Sequence, residues 1–149
     1  MKPKKIIYLI IFGVLAYQLF GCVKTHTSGD VIAYKRFSKA LLKQDSYVAR
    51  QVARNPLARE ALAREGARKE LFEGVEIVFT YYTIEDRRLS DDGKRSFIVA
   101  HQVSRVNPEG VDTLWGEGKV RIQQQVELVL KDGRWEVVKL NDPTLKQAP

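Results

Sequence analysis

Cysteine is all but absent from this chain of 149 residues: Cys22 is the only one. No disulfide can form within it, so the fold must hold through its own core. Histidine is nearly as scarce, with His26 and His101 alone. No cluster of His, Cys, Asp or Glu has the spacing of a metal site. Gly116 and Gly118 lie in a β pattern with no helix behind them, so no phosphate-cradling loop is formed there. The G-x-S-x-G elbow of serine hydrolases is missing as well. These gaps argue against the common metal, nucleotide and serine chemistries, and no metal or cofactor is expected. A nucleic-acid reader motif is also lacking, so nucleic acid is not an expected partner.

What is present begins with an apolar run over residues 6–20, broken only by Gly13 and Gln18 and preceded by Lys2, Lys4 and Lys5. A charged start ahead of such a run is the pattern of an export signal. The lysines stay on the cytoplasmic side, which places the downstream chain outside. The run closes on Leu19-Phe20-Gly21-Cys22. This box resembles the bacterial lipoprotein signal, although Phe20 is bulkier than the residue usual at its position. The resemblance implies cleavage before Cys22 and lipidation of that cysteine. Val23, standing where an aspartate would hold the protein at the inner membrane, leans toward an outer membrane. The alternative is an uncleaved anchor, since residues 6–23 number eighteen, the lower edge of what crosses a hydrocarbon core of about 30 Å. Both readings put the protein at a membrane of the cell envelope, on the extracytoplasmic or periplasmic face. They divide the chain into a signal or anchor at 1–21, a polar tether at 22–29, a domain at 30–142 and a loose tail at 143–149.

Removing the first 21 residues leaves 128, enough for one domain with a real core. The charge is uneven. Residues 30–70 hold ten basic and five acidic residues, whereas 71–149 hold eleven and thirteen. A basic region close to a membrane could meet anionic head groups. A solvated helical surface of mixed charge is the simpler account.

Along the domain, Asp30 is expected to cap a helix whose apolar stripe is Val31, Tyr34, Phe37, Leu41 and Leu42. Ser46 is expected to cap a short second helix through Val52. Asn55-Pro56 restarts the chain, with Asn as the cap and Pro in the first turn, and Gly66 weakens the helix that follows. His26 reads as an exposed loop residue. From Val75 the pattern turns to β. Residues 75–85 are apolar on both faces, which suggests a strand covered on both sides. Residues 96–106 form a second strand, then a loop over 107–113. In the third strand, Val120, Ile122, Val126, Leu128 and Leu130 face one way with Gln124 as the exception, while Arg121, Gln123, Gln125 and Glu127 face the other. Asp132-Gly133 is a two-residue hairpin turn that pairs Leu130 with Trp135 and Leu128 with Val137. The fold class is therefore α+β: N-terminal helices packed on a curved, four-stranded antiparallel meander.

The stretch AYKRFSKALLKQDSYVARQVA and the ending VELVLKDGRWEVVKLND resemble the opening helix and last hairpin of the nuclear transport factor 2-like (cystatin-like, cone-shaped) superfamily. The chain looks most like small bacterial lipoproteins carrying such a domain, over about residues 30–142. The matching motifs are structural and speak to fold rather than activity. Some members of that superfamily are isomerases or hydratases that work inside the cone, which would make His101 a candidate base, on the Phe97–Val99–Val103 side if alternation holds. Tyr34, Tyr81 and His101 are the ligand-pocket candidates, with Tyr82 nearby in sequence. No acidic residue on the core-facing side of the third strand is placed to orient the histidine. The favoured expectation is a non-catalytic, membrane-tethered module that binds an unknown protein or small ligand through the cone mouth or the sheet face of Gln123, Gln125 and Glu127. A His101-based isomerase or hydratase, and a subunit of an envelope secretion complex, are the alternatives.

Overall fold

The computed structural model describes residues 3–64 and 69–143. Gly66 and residues 144–149 of the expected tail lie outside the described residues. Among the described residues, the helices α1 (Pro3–Thr27), α2 (Gly29–Leu42), α3 (Ser46–Val52) and α4 (Asn55–Ala63) precede four strands. The strands are β1 (Val75–Leu89), β2 (Arg95–Pro108), β3 (Gly118–Lys131) and β4 (Arg134–Asn141). They form one antiparallel sheet in the order β1-β2-β3-β4, the expected α+β meander. The final turn closes as anticipated. Asp132 and Gly133 both adopt positive φ, the mark of a type I′ turn, and Leu130 pairs with Trp135 and Leu128 with Val137.

The helices lie on one face of the sheet. Val31, Tyr34, Phe37 and Leu41 of α2 are fully or almost fully buried against Ile98, Ala100, Val126, Leu128 and Val137. Four of the five residues of the stripe read from the sequence thus pack here, while Leu42 is only half-buried; each large apolar side chain removed from water is worth about 1.5–3 kcal/mol. The capping residues sit one or two positions away from those expected. Ser28, not Asp30, is the N-cap of α2. Asp45, not Ser46, caps α3, its Oδ1 accepting from the Val48 amide at 3.0 Å. Arg54 occupies the cap position of α4, with Asn55 and Pro56 in its first turn. A side chain inside the first turn can turn inward to a tertiary partner, and Asp30 does so.

Two further expectations change. Residues 22–27 are helical and belong to α1. At about 1.5 Å per residue instead of 3.3 Å, they set α2 closer to the apolar run of α1 than an extended segment would. Strand β1 is an edge strand rather than one covered on both sides, and Ile77, Val78, Phe79 and Tyr81 are exposed along it. Bulges at Ile77/Phe79 and Ile84/Asp86 interrupt its register with β2, bending the strand and blunting the free edge.

Candidate binding face

The inner face of the sheet is lined by buried side chains. Its middle is a polar seam. Asp30, Tyr34 and Ser38 recur every four residues along α2 and are all buried. Asp30 meets Arg87 and Ser96. The Tyr34 hydroxyl donates to Gln124 Oε1 at 2.8 Å, and Ser38 Oγ lies 2.6 Å from Gln102 Oε1 and 2.8 Å from Gln124 Oε1. A hydroxyl has one proton to give, so one amide must offer Ser38 its NH2. Gln124 Oε1 already accepts from Tyr34, which leaves Gln102 to turn and satisfy its otherwise unbonded Nε2. Tyr82 packs edge-to-face on Tyr34, with centroids 5.7 Å apart. Gln124, the exception in the third strand's apolar row, is therefore the centre of an interior hydrogen-bond network.

This seam also decides the position of His101. Because Ser96, Gln102 and Ser104 answer polar groups on α2 and β1, the inner row of β2 is Ser96, Ile98, Ala100, Gln102, Ser104 and Val106. The more apolar row, Phe97, Val99, His101 and Val103, faces away from the helices. His101 is thus on the outer face, not in a cone. Its Nδ1 lies 3.1 Å from Arg121 Nη2 and 3.6 Å from Glu85 Oε2. Arginine can only donate, so Nδ1 is held as an acceptor and is not open toward a substrate. The three pocket candidates separate accordingly. Tyr34 is inside the core, while Tyr81 and His101 are on the outer face, opposite Val103 and Thr83.

Gln123, Gln125 and Glu127 lie on that outer face, as the alternation of β3 implies. A groove of about 580 Å³ crosses it near Arg88, Phe97, Gln125, Glu127 and Lys139, with Arg64 at the end of α4. Most of its charges have partners: Arg88 with Asp86 at 3.0 Å, Arg64 with Glu60 at 2.7 Å and Glu127 with Arg95 at 3.5 Å. Mutual pairing leaves little net charge to select a small ion.

The most distinctive part of the surface escaped the sequence reading. Leu114 and Trp115, in the loop between β2 and β3, are 86% and 75% exposed. Trp115 adjoins Phe79 of β1, the two rings meeting edge-to-face at 6.5 Å, and Tyr81 follows on the same row. The loop carrying them is held firmly. Arg105 donates to the carbonyls of Trp115 and Gly116 at 2.9 and 2.6 Å. Asn107 donates to the Thr113 carbonyl and accepts from Thr113 Oγ1 and the Glu117 amide. Gly116 has φ +71°, and a Cβ there would stand 2.8 Å from the Val106 nitrogen, so only glycine fits. The available signal was Arg105, Asn107 and Gly116 flanking an apolar Leu-Trp pair within a polar loop.

No protein-family model matches the chain, and neither does any curated protein. Among solved structures, it is similar to the intermembrane-space region of the chloroplast protein ARC6, at 14% identity and TM-score 0.42, over 74% of this chain and 90% of that one. A ketosteroid isomerase-like protein from Shewanella frigidimarina aligns at 13% identity and TM-score 0.44, covering 78% and 95%. The Kfla4162 protein of Kribbella flavida aligns at 15% identity and TM-score 0.47, covering 80% and 92%. Likenesses at this level carry no argument about what the chain does.

Proposed function

We propose that this chain is a membrane-tethered, extracytoplasmic binding module with a nuclear transport factor 2-like domain, and that it engages a protein partner through the Trp115 patch. The observation that carries the reading is a large aromatic side chain held in solvent by a loop bolted to β2. An exposed apolar cluster has no use in an isolated soluble domain. Tryptophan on a fixed backbone is the kind of anchor that dominates protein interfaces, because little freedom is lost on docking. The patch also lies far from the anchor. From Phe79 beside Trp115 to Arg87 beside Asp30 is eight residues of strand, or about 26 Å.

Two features support the tether. The helix Lys5–Thr27 has 23 residues, none of its apolar window buried against the domain; its apolar residues 6–23 rise about 27 Å at 1.5 Å each, the lower edge of what crosses a bilayer core. Cys22 is exposed on it, where the lipidation box would place a lipid. Intact-mass measurement of the membrane fraction, wild type against Cys22→Ala, separates a lipidated chain starting at Cys22 from a full-length helical anchor. The binding reading is tested by a photo-crosslinking residue at Trp115 or Leu114 in the full chain. A discrete protein adduct at these positions, absent with the crosslinker at Arg59 on the helical side, is expected. No adduct at either position would overturn it.

A further inference from the structure

Helix α2 is amphipathic in two senses. Opposite its buried row, Ile32, Lys35, Arg36, Lys39 and Lys43 fall on one stripe, since steps of three and four residues return to the same helical face. Arg36 Nη2 donates to Gln51 Oε1 at 2.9 Å, which sets α3 beside this stripe. From α3, Tyr47 and Arg50 join the exposed surface. Residues 30–60 contain seven Lys or Arg and three acids. Of the acids, Asp30 is buried, Glu60 is paired with Arg64 and Asp45 caps α3. The outward surface of the helical layer is thus cationic, and it carries two exposed apolar side chains, Ile32 at 51% and Tyr47 at 73% exposure.

The course of α1 gives this surface a direction. Were α1 and α2 collinear, His26 and Lys35 would be separated by about 13 Å of helix rise. Instead Lys35 Nζ lies 2.7 Å from His26 Nδ1. The chain therefore turns a corner at Ser28, and α1 departs on the Lys35 side of α2. The apolar part of α1 ends at Val23, so a bilayer holding α1, or a lipid on Cys22, has its head-group layer at the level where the Lys35 ammonium sits.

We propose that the cationic face of α2 and α3 rests on anionic phospholipid head groups, with Ile32 and Tyr47 reaching toward the acyl boundary, so that the sheet's outer face and Trp115 point away from the membrane. Charge complementarity and continuity with the anchor select a lipid surface over a protein. The attraction of Lys and Arg to such a surface fades within a Debye length and on adding salt. The inference rests on the reading of α1 and Cys22 as a membrane tether.

The test uses the full chain in nanodiscs of phosphatidylcholine, with or without roughly one-third phosphatidylglycerol, and an amine-acetylating reagent read by mass spectrometry. Acetylation of Lys39 and Lys43 should slow about fivefold in the anionic discs and recover in high salt. Lys119 and Lys139, exposed on the sheet, should react alike in both. Arg36→Glu with Arg50→Glu should abolish the protection while the thermal unfolding curve stays in place. If that variant fails to fold, the comparison of the two lipids on wild type still decides. Equal rates of Lys39 and Lys43 in both discs would overturn the docking. Failure of the chain to co-elute with neutral discs would instead remove the tether reading, whatever the lysines show.

Discussion

Asp30 and Arg87 form a two-pronged ion pair, Nε to Oδ2 at 2.7 Å and Nη2 to Oδ1 at 3.0 Å, tying the first turn of α2 to the far end of β1. Asp30 is 1% exposed and also accepts from Ser96 Oγ. It sits within one turn of the junction of α1 and α2. Removing Arg87 would leave a buried carboxylate without its counter-charge. Arg87→Met is therefore expected to lower unfolding stability by about 3 kcal/mol, seen as a shifted urea midpoint with unchanged slope. A loss below about 0.5 kcal/mol would show that the pair is dispensable.

The same pair predicts an acid response. Burial alone would raise the Asp30 pKa, but the hydrogen bonds from Arg87 and Ser96 and the Arg87 charge outweigh it, holding the carboxyl below its usual range. The unfolded chain then binds the proton more readily than the folded one. This contribution to stability is complete above about pH 4, falls as pH drops through the folded value, and is absent below it. Wild type should lose more stability than Asp30→Asn over that acid range in urea titrations. Parallel losses would contradict the assignment.

Gln124 tests the polar seam. Gln124→Leu takes the acceptor from Tyr34 and Ser38 in a buried setting and is expected to cost about 1–3 kcal/mol. Adding Tyr34→Phe removes one of the stranded hydroxyls, so the double variant should be less destabilised than the two single losses added together. Simple additivity in chemical denaturation would mean that the two side chains are not coupled.

Gly116 tests the presentation of Trp115. Gly116→Ala must combine a positive φ with a clash on the Val106 backbone, and a cost of about 2 kcal/mol or more is expected, with a changed tryptophan emission spectrum. Gly110→Ala also has positive φ, at +79°, but open space around its Cβ, and should cost about 1 kcal/mol with the spectrum unaltered. Equal effects would show that the close approach at Gly116 is unimportant.

Much of this molecule is legible from local pattern. The apolar run of α1, the Val31–Tyr34–Phe37–Leu41 stripe, the alternation of β3 and the Asp132-Gly133 turn each depend on periodicity or on one turn's φ requirement, and each is present in the structure. These features determine the α+β class, the strand order of the last hairpin and the side of β3 that is wet.

Tertiary structure decided which face of β2 is inside, and with it the meaning of His101. Alternation marks two rows but cannot tell them apart when the outer row is the more apolar. The choice depends on Asp30 and Ser38 meeting Ser96 and Gln102, partners more than sixty residues away, whose pairing outweighs the burial of Phe97 and Val99. The Trp115 platform depends likewise on Arg105 and Asn107 crossing from a strand to a loop. The corner at Ser28, which brings Lys35 of α2 against His26 of α1, comes from packing between helices that a linear pattern does not encode. The sequence by itself determined where the apolar and charged residues recur; long-range pairing of buried polar groups decided what they face.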